Sequence, residues 1–356
     1  MTLRIELLPA GYGDAILIAY GDGATPQHHI LIDAGQAKTA QSVLDRLATL
    51  RAGGGVIDLF VVTHIDNDHI GGALKLLADP AAAAMIQGIW FNGYVHLDKA
   101  VGLLGPIQGE KLTKQIVELG LNWNAGWPHP VQPGVGGPVV VTRPTTHELP
   151  GKATALVLSP TPAKLAQLRV KWDEVVAAAG LRPDQDATEE PPVVAPGLLG
   201  GTLADLADQR TSNDTAEANG SSISFVFEYA GKRVLFGADA HPEVLTAGLA
   251  QLDEKPYRLD ACKLPHHGSK ANVSRQLLEA LDCKKYLFST NGAQFKHPDR
   301  QAVARVIKWG GAQPELSFNY RTKYNEAWDG KPLRDRYGYT TVFPKSDSTH
   351  VVLEWR

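Results

Sequence analysis

The stretch Thr63-His64-Ile65-Asp66-Asn67-Asp68-His69-Ile70-Gly71-Gly72 decides how this chain is read. Four metal-competent side chains, His64, Asp66, Asp68 and His69, are packed into it, and an imidazole and carboxylate set of this kind suits Zn²⁺, Mn²⁺ or Fe²⁺. Immediately before them IDLFVVT (57–63) is a continuous apolar run of strand length, the pattern of a strand covered on both faces. Extended alternation beyond that strand would send His64, Asp66 and Asp68 to one side, with His69 approaching from the turn. The two glycines then let the chain enter a helix expected to start at Gly71 or Gly72.

Upstream, LRIELLP (3–9), DAILIAY (14–20) and HHILIDAG (28–35) read as short strands of an antiparallel meander, bounded by Gly or Pro. TAQSVLDRLATLRAG (39–53) follows with apolar residues at helical spacing. Downstream come the strand IQGIWFNG (86–93), a loosely patterned stretch holding one convincing helix, PAKLAQLRVKWDEVVAAAG (162–180), and a hairpin turning at Gly231-Lys232. Then helix and strand alternate: HPEVLTAGLAQL, DACKLP, SRQLLEAL, KKYLFST. The tail YGYTTVFPKSDSTHVVLEWR (337–356) predicts a closing hairpin. An antiparallel start followed by strand and helix alternation in both halves predicts an α/β (α+β) four-layer αββα sandwich with a central insertion. The expected organisation is a first half at 1–93, a partly flexible insertion at 94–215 that serves as lid or partner surface, and a second half at 216–356.

The composition is that of a folded globular protein, 44% apolar and 21% charged over 356 residues. A formal charge of −3 provides no global field for a polyanion, so any nucleic-acid contact must be local. RTKYNEAWDGKPLRDRYGY (321–339), basic and interleaved with aromatics, is the one stretch suited to a single strand. The start lacks the pattern of a signal peptide and no apolar run reaches the length of a membrane span, which predicts a cytoplasmic protein with no membrane partner. Cys262 and Cys283 lie in apolar strand contexts without metal spacing and are expected to be buried, reduced thiols.

The run T-H-I-D-N-D-H-I-G-G resembles the metal-binding signature of the metallo-β-lactamase superfamily, H-x-[HD]-x-D-H. Asp66 in place of the commoner His resembles the variant in the hydrolase domain of competence-type DNA-uptake proteins. The resemblance covers about residues 1–90 and 216–310 and extends to Asp33 in LIDAG, Asp239 in VLFGADA and His266-His267-Gly268-Ser269. It implies two divalent metal ions, Zn²⁺ or Mn²⁺, with His64, Asp66, Asp68, His69, Asp239 and His266 as ligands. Within the His pair, His266 is favoured as the ligand and His267 is the alternative. Asp33 is implied as a metal-free support. The usual third histidine of the first metal position is missing, and Asn219 stands where it would fall; as a poor zinc ligand, it weakens that position.

Hydrolysis by a metal-activated water is the reaction implied, with Asp68 orienting the nucleophile. His297, Ser269 and Asn291, each after an expected strand end, are candidates for contacting substrate or leaving oxygens, His297 as a catalytic group. The substrate expected is a phosphodiester, in nucleic acid or a small molecule. Alternatives are a small-molecule hydrolase for a lactone, thioester, phosphonate or cyclic nucleotide, or a partner-dependent component docking another protein through 94–215. His28, His29, His96, His129, His147, His241 and His350 are expected to be ordinary surface or structural residues.

Overall fold

The computed structural model describes residues 1–97, 111–129, 136–178, 202–345 and 351–356. Its strands are β1 (Thr2–Leu7), β2 (Ile16–Gly21), β3 (His28–Ile32), β4 (Leu59–Val61), β5 (Gly88–Trp90) and β6 (Asn122–Trp123). There follow β7 (Thr145–Glu148), β8 (Thr154–Ser159), β9 (Ser224–Tyr229), β10 (Lys232–Phe236), β11 (Tyr257–Arg258) and β12 (Ala261–Lys263). The last are β13 (Leu281–Asp282), β14 (Lys285–Phe288), β15 (Glu315–Phe318), β16 (Thr340–Val342) and β17 (Val351–Trp355). One seven-stranded sheet runs β17-β1-β2-β3-β4-β5-β6 and one eight-stranded sheet β16-β15-β14-β12-β10-β9-β8-β7, while β11 and β13 form a small pair.

Period-two alternation builds the layers. Leu3, Ile5 and Leu7 of β1, Ile16, Ile18 and Tyr20 of β2, and Phe225, Phe227 and Tyr229 of β9 fill the space between the sheets. Their neighbours turn outward: Leu17 and Phe60 meet α1 (Ala40–Ala52) and α2 (Asn67–Ala78), and Val226 and Leu235 meet the helices Pro242–Leu249 and Arg300–Trp309. Helices cover each outer face, which gives the four-layer αββα sandwich.

Three features differ from the sequence expectation. The tail forms no hairpin: β16 joins β15 in parallel in the eight-stranded sheet, whereas β17 crosses over and pairs antiparallel with β1. Apolar alternation marks both as strands but cannot name their partners. Residues 94–215, read as an insertion, contribute β6 to the edge of one sheet and β7 and β8 to the other. β7 is largely exposed, which is why it gives so little apolar signal. The acid- and Pro-rich part of that stretch, and His350, lie outside the described residues.

The third difference lies at α2, which starts at Asn67 rather than at the glycines. Gly72 serves close packing: a Cβ there would stand 2.0 Å from the Ala34 carbonyl oxygen. Gly13 does the same for the Asp68 carbonyl, at 1.7 Å. The turns after β1 and β3 thus press directly on the first turn of α2.

Candidate metal centre

The strand ends of both sheets deliver the polar side chains to one edge of the sandwich. Residues 64–66 leave β4 extended, with Asp66 at the N-cap of α2 (φ −70°, ψ 142°), so Asp68 and His69 fall in the first helical turn. Asp68 is therefore aimed by the helix and not by strand alternation. From the other sheet, Asp239 follows β10, and His266 and His267 follow β12. Backbone and side-chain bonds tie the two edges together: Ile223 N–H donates to the Thr63 carbonyl, Asn291 N–H to that of Gly11, and the Ser289 hydroxyl to that of Gly13.

Asp68, His69, Asp239 and His267 converge on one point. His69 Nε2 lies 3.2 Å from His267 Nε2, 3.3 Å from Asp239 Oδ2 and 3.9 Å from Asp68 Oδ2. His267 Nε2 lies 3.4 Å from Asp68 Oδ2 and 3.5 Å from Asp239 Oδ2. A tetrahedral shell at about 2.0–2.2 Å from a metal places its ligand atoms roughly 3.3–3.6 Å apart, so these donors fit a divalent ion. Of the His266-His267 pair, His267 is the member that faces this group.

Asp239 Oδ2 also faces a second, wider set. His64 Nε2 is 3.8 Å from it and 3.6 Å from Asp66 Oδ2, and His266 Nε2 is 3.7 Å from the same Asp239 oxygen. Asn219 is drawn in by Asp214, whose carboxylate accepts its amide N–H at 2.7 Å. Among the described residues Asn219 Oδ1, His64 Nε2 and Asp239 Oδ1 are all buried without a hydrogen-bond partner. Buried polar atoms are rarely left so. With Asp66 Oδ2 and His266 Nε2 nearby, the orphaned His64 Nε2 and Asp239 Oδ1 fit a second cation.

Each ligand-facing ring is held from behind. Asp33, fully buried, accepts from Thr63 N–H and Thr63 Oγ1–H and sits 2.8 Å from His69 Nδ1. Thr63 Oγ1 lies 3.0 Å from His64 Nδ1. His266 Nδ1 faces Asn272 Oδ1 at 3.0 Å and Asp214 Oδ2 at 3.3 Å. His267 Nδ1 faces the Ser289 carbonyl at 2.9 Å and Asp14 Oδ1 at 3.3 Å. Such outer contacts fix which ring nitrogen is free to bind a metal.

The charges are strongly coupled. Burial alone would lower the pKa of His69 and His267, but Asp239 and the neighbouring carboxylates outweigh it and raise both well above the ordinary histidine value. Burial would likewise raise Asp239, and the imidazoles hold it far below the usual carboxylate range instead. His297 is different: burial, then His266 and His267, push it well below its ordinary value and keep it neutral. Its ring lies 5.4 Å from that of His266, and its Nδ1 lies 3.5 Å from Asp299 Oδ2.

Ser269 Oγ accepts the Ala271 N–H and Asn291 Oδ1 the Ala293 N–H, both local turn bonds. Sequence reasoning missed Asp14, Thr63, Asp214, Lys263 and Asn272. Lys263 carried a signal, a charge inside the otherwise apolar strand Ala261–Lys263. Among the other histidines, His241 is buried beneath Lys164 Nζ at 2.7 Å, and His147 stacks on Trp127. Cys262 and Cys283 are buried free thiols. A cavity of about 980 Å³ lined by Tyr94, His96, Pro128, Leu165 and Arg169 lies apart from the centre, since no clustered residue lines it.

Residues 8–99 match the family model described as the metallo-beta-lactamase superfamily, a span that takes in Asp33 and the run His64 to His69. That part of the chain is similar to the metallo-β-lactamase superfamily. The αββα sandwich and the His and Asp donor set agree with that match, and together they support a metal-dependent hydrolase. No curated protein matches the chain. Among solved structures, Igni18, a metallo hydrolase from Ignicoccus hospitalis, is similar at 11% identity and TM-score 0.43, each chain covered in full. The metallo-beta-lactamase fold protein YhfI from Bacillus subtilis is similar at 10% identity and TM-score 0.42, covering 99% of this chain and 100% of its own. A Cronobacter sakazakii metallo-beta-lactamase with a HARLDQ motif reaches 15% identity and TM-score 0.30, over 72% and 70% of the two chains. No helix among the described residues is long and apolar enough to cross a membrane.

Proposed function

We propose that this chain hydrolyses phosphodiesters with two divalent ions, Zn²⁺ or Mn²⁺, sharing Asp239. The observation that carries it is the single carboxylate flanked by two nests: His69, Asp68 and His267 at 3.2 to 3.9 Å spacing on one side, His64, Asp66 and His266 at 3.6 to 3.8 Å on the other. Ions held there supply a water of pKa near about 7 and a Lewis acid for the electrophile. A two-ion clamp suits a phosphoryl group, whose charge spreads over several oxygens.

The chain's own groups complete the reading. Asp68 orients the nucleophile from the first turn of α2. His297, neutral and with its ring 5.4 Å from that of His266, offers a hydrogen bond to a substrate oxygen. At the rim Phe295 is 46% exposed, set edge-on to Tyr12 and stacked on His297, a surface for a planar ring next to the phosphoryl position. The Asp66 and Asn219 variant, together with HHGS, supports kinship with the competence-type DNA-uptake hydrolase, so a single strand is the natural polymer to test. Any protein partner would dock on 94–215.

Hydrolysis of bis(p-nitrophenyl) phosphate and of a labelled single-stranded DNA, with added Mn²⁺ or Zn²⁺, tests the proposal beside a His69→Ala control. Metal-dependent turnover lost in the control is expected. A protein shown to hold metal that cleaves neither substrate would overturn the phosphodiester reading and leave the lactone or thioester class to be assayed.

A further inference from the structure

Behind His267 lies a buried ion pair with no equivalent behind the other rings. Lys263, on β12, is fully buried, and its ammonium donates to Asp14 Oδ2 in a very short contact. Asp14 is 2% exposed and precedes β2, so the pair joins the two sheets. Two buried charges are costly to desolvate, and an apolar pair of similar volume is often as stable or more so. Stability alone is therefore a poor reason for this pair.

Its geometry supplies another. With Oδ2 taken by Lys263, Asp14 Oδ1 makes no hydrogen bond among the described residues other than its approach to His267 Nδ1 at 3.3 Å. That nitrogen is on the far side of the ring from Nε2, which faces His69, Asp68 and Asp239. Although Asp14 lies close enough to be grouped with His69, Asp239 and His267 as a metal-holding set, it approaches His267 from the rear. His267 also needs the help: its backbone is left-handed (φ 54°, ψ 18°), which leaves the ring less constrained by regular structure.

We propose that Asp14, locked by Lys263, is a positioning residue that acts beside the Ser289 carbonyl, which faces the same Nδ1 at 2.9 Å, to fix the orientation of His267 and so sets the affinity of one metal position and not the other. The inference rests on the metal-centre reading above. Asp33 does this for His69 with its oxygens shared between His69 and Thr63; Asp14 does it for His267 with a lysine holding its second oxygen.

The experiment is titration of the metal-free full chain with Co²⁺, followed by d–d absorption and by equilibrium dialysis, for the parent, Asp14→Ala, Asp14→Asn and the paired Asp14→Leu/Lys263→Met. Loss of a supporting contact of this kind weakens metal binding about 10- to 100-fold. Asp14→Ala should lose that much at one position while the other keeps its affinity. Asp14→Asn, which retains an acceptor oxygen, should recover part of it. The paired variant keeps the volume without the charges, so it should fold and show the same selective loss; it carries the test if Asp14→Ala does not fold. Parent-like affinity at both positions in a folded variant, or equal loss at both, overturns the proposal. A loss in Asp14→Asn as deep as in Asp14→Ala overturns it in favour of direct ligation. A parent chain that binds no Co²⁺ sinks the metal reading itself.

Discussion

The two halves of the molecule deliver their ligands by different means. In the first half, His64, Asp66, Asp68 and His69 come from one strand end and one helical turn, all with ordinary backbone. In the second half, Ala238, His266 and His267 are left-handed at φ 45°, 47° and 54°. Together with Asp33 and Lys296 they make five of the nine non-glycine residues at positive φ among the described residues. A non-glycine residue in that region costs about 1–2 kcal/mol. Strain stored next to the centre is held by the surrounding bonds, among them His266 N–H to the Ala238 carbonyl. One half gains precision from regular structure, the other from over-determined turns.

The largest blow to both halves at once is Asp239→Ala. Losing the shared carboxylate should empty both metal positions, read by metal analysis. Several kcal/mol of charge stabilisation corresponds to at least about three decades in turnover at 1.36 kcal/mol per decade. Within the first half, Thr63→Val removes the hydroxyl between Asp33 and His64, and a roughly ten-fold or greater loss of metal affinity with an unchanged melting curve is expected from dialysis. Equal affinity would mean that His64 is aimed by the strand alone.

Smaller effects probe the backbone itself. Gly72→Ala drives a methyl group into the Ala34 carbonyl, and overpacking of this kind costs about 1–3 kcal/mol, measurable by urea unfolding. Ala238→Gly relieves a left-handed alanine and should raise the urea midpoint, by up to about 1 kcal/mol in stability. The contrast between the halves fails if that substitution destabilises instead.

The same contrast explains what the sequence disclosed. The first-half ligands were legible because they are contiguous and follow a buried apolar strand, and the meander β1 to β3 was legible from its alternation. Asp239 stood out at the end of another apolar strand. His266 was preferred over His267 because a strand end suggests the ligand; two successive left-handed residues re-aim both rings, and nothing in the residue types announces them. Asp14 and Lys263 are 249 positions apart, so their pairing depends on the packing of one sheet on the other. β6 and β7 were obscure because they are short and exposed, and the partner of β17 because strand periodicity specifies a face but not a neighbour.

That last pairing has a consequence for biosynthesis. β1 is held between β2 and β17, in register from Leu3 opposite Trp355 to Leu7 opposite Val351. Every other described strand lies between β1 and β17 in the sequence, so during synthesis the outer edge of β1 stays open until β17 has been made. An open edge is a template for pairing with other chains. That edge of β1 is therefore open to aggregation during synthesis until β17 closes it.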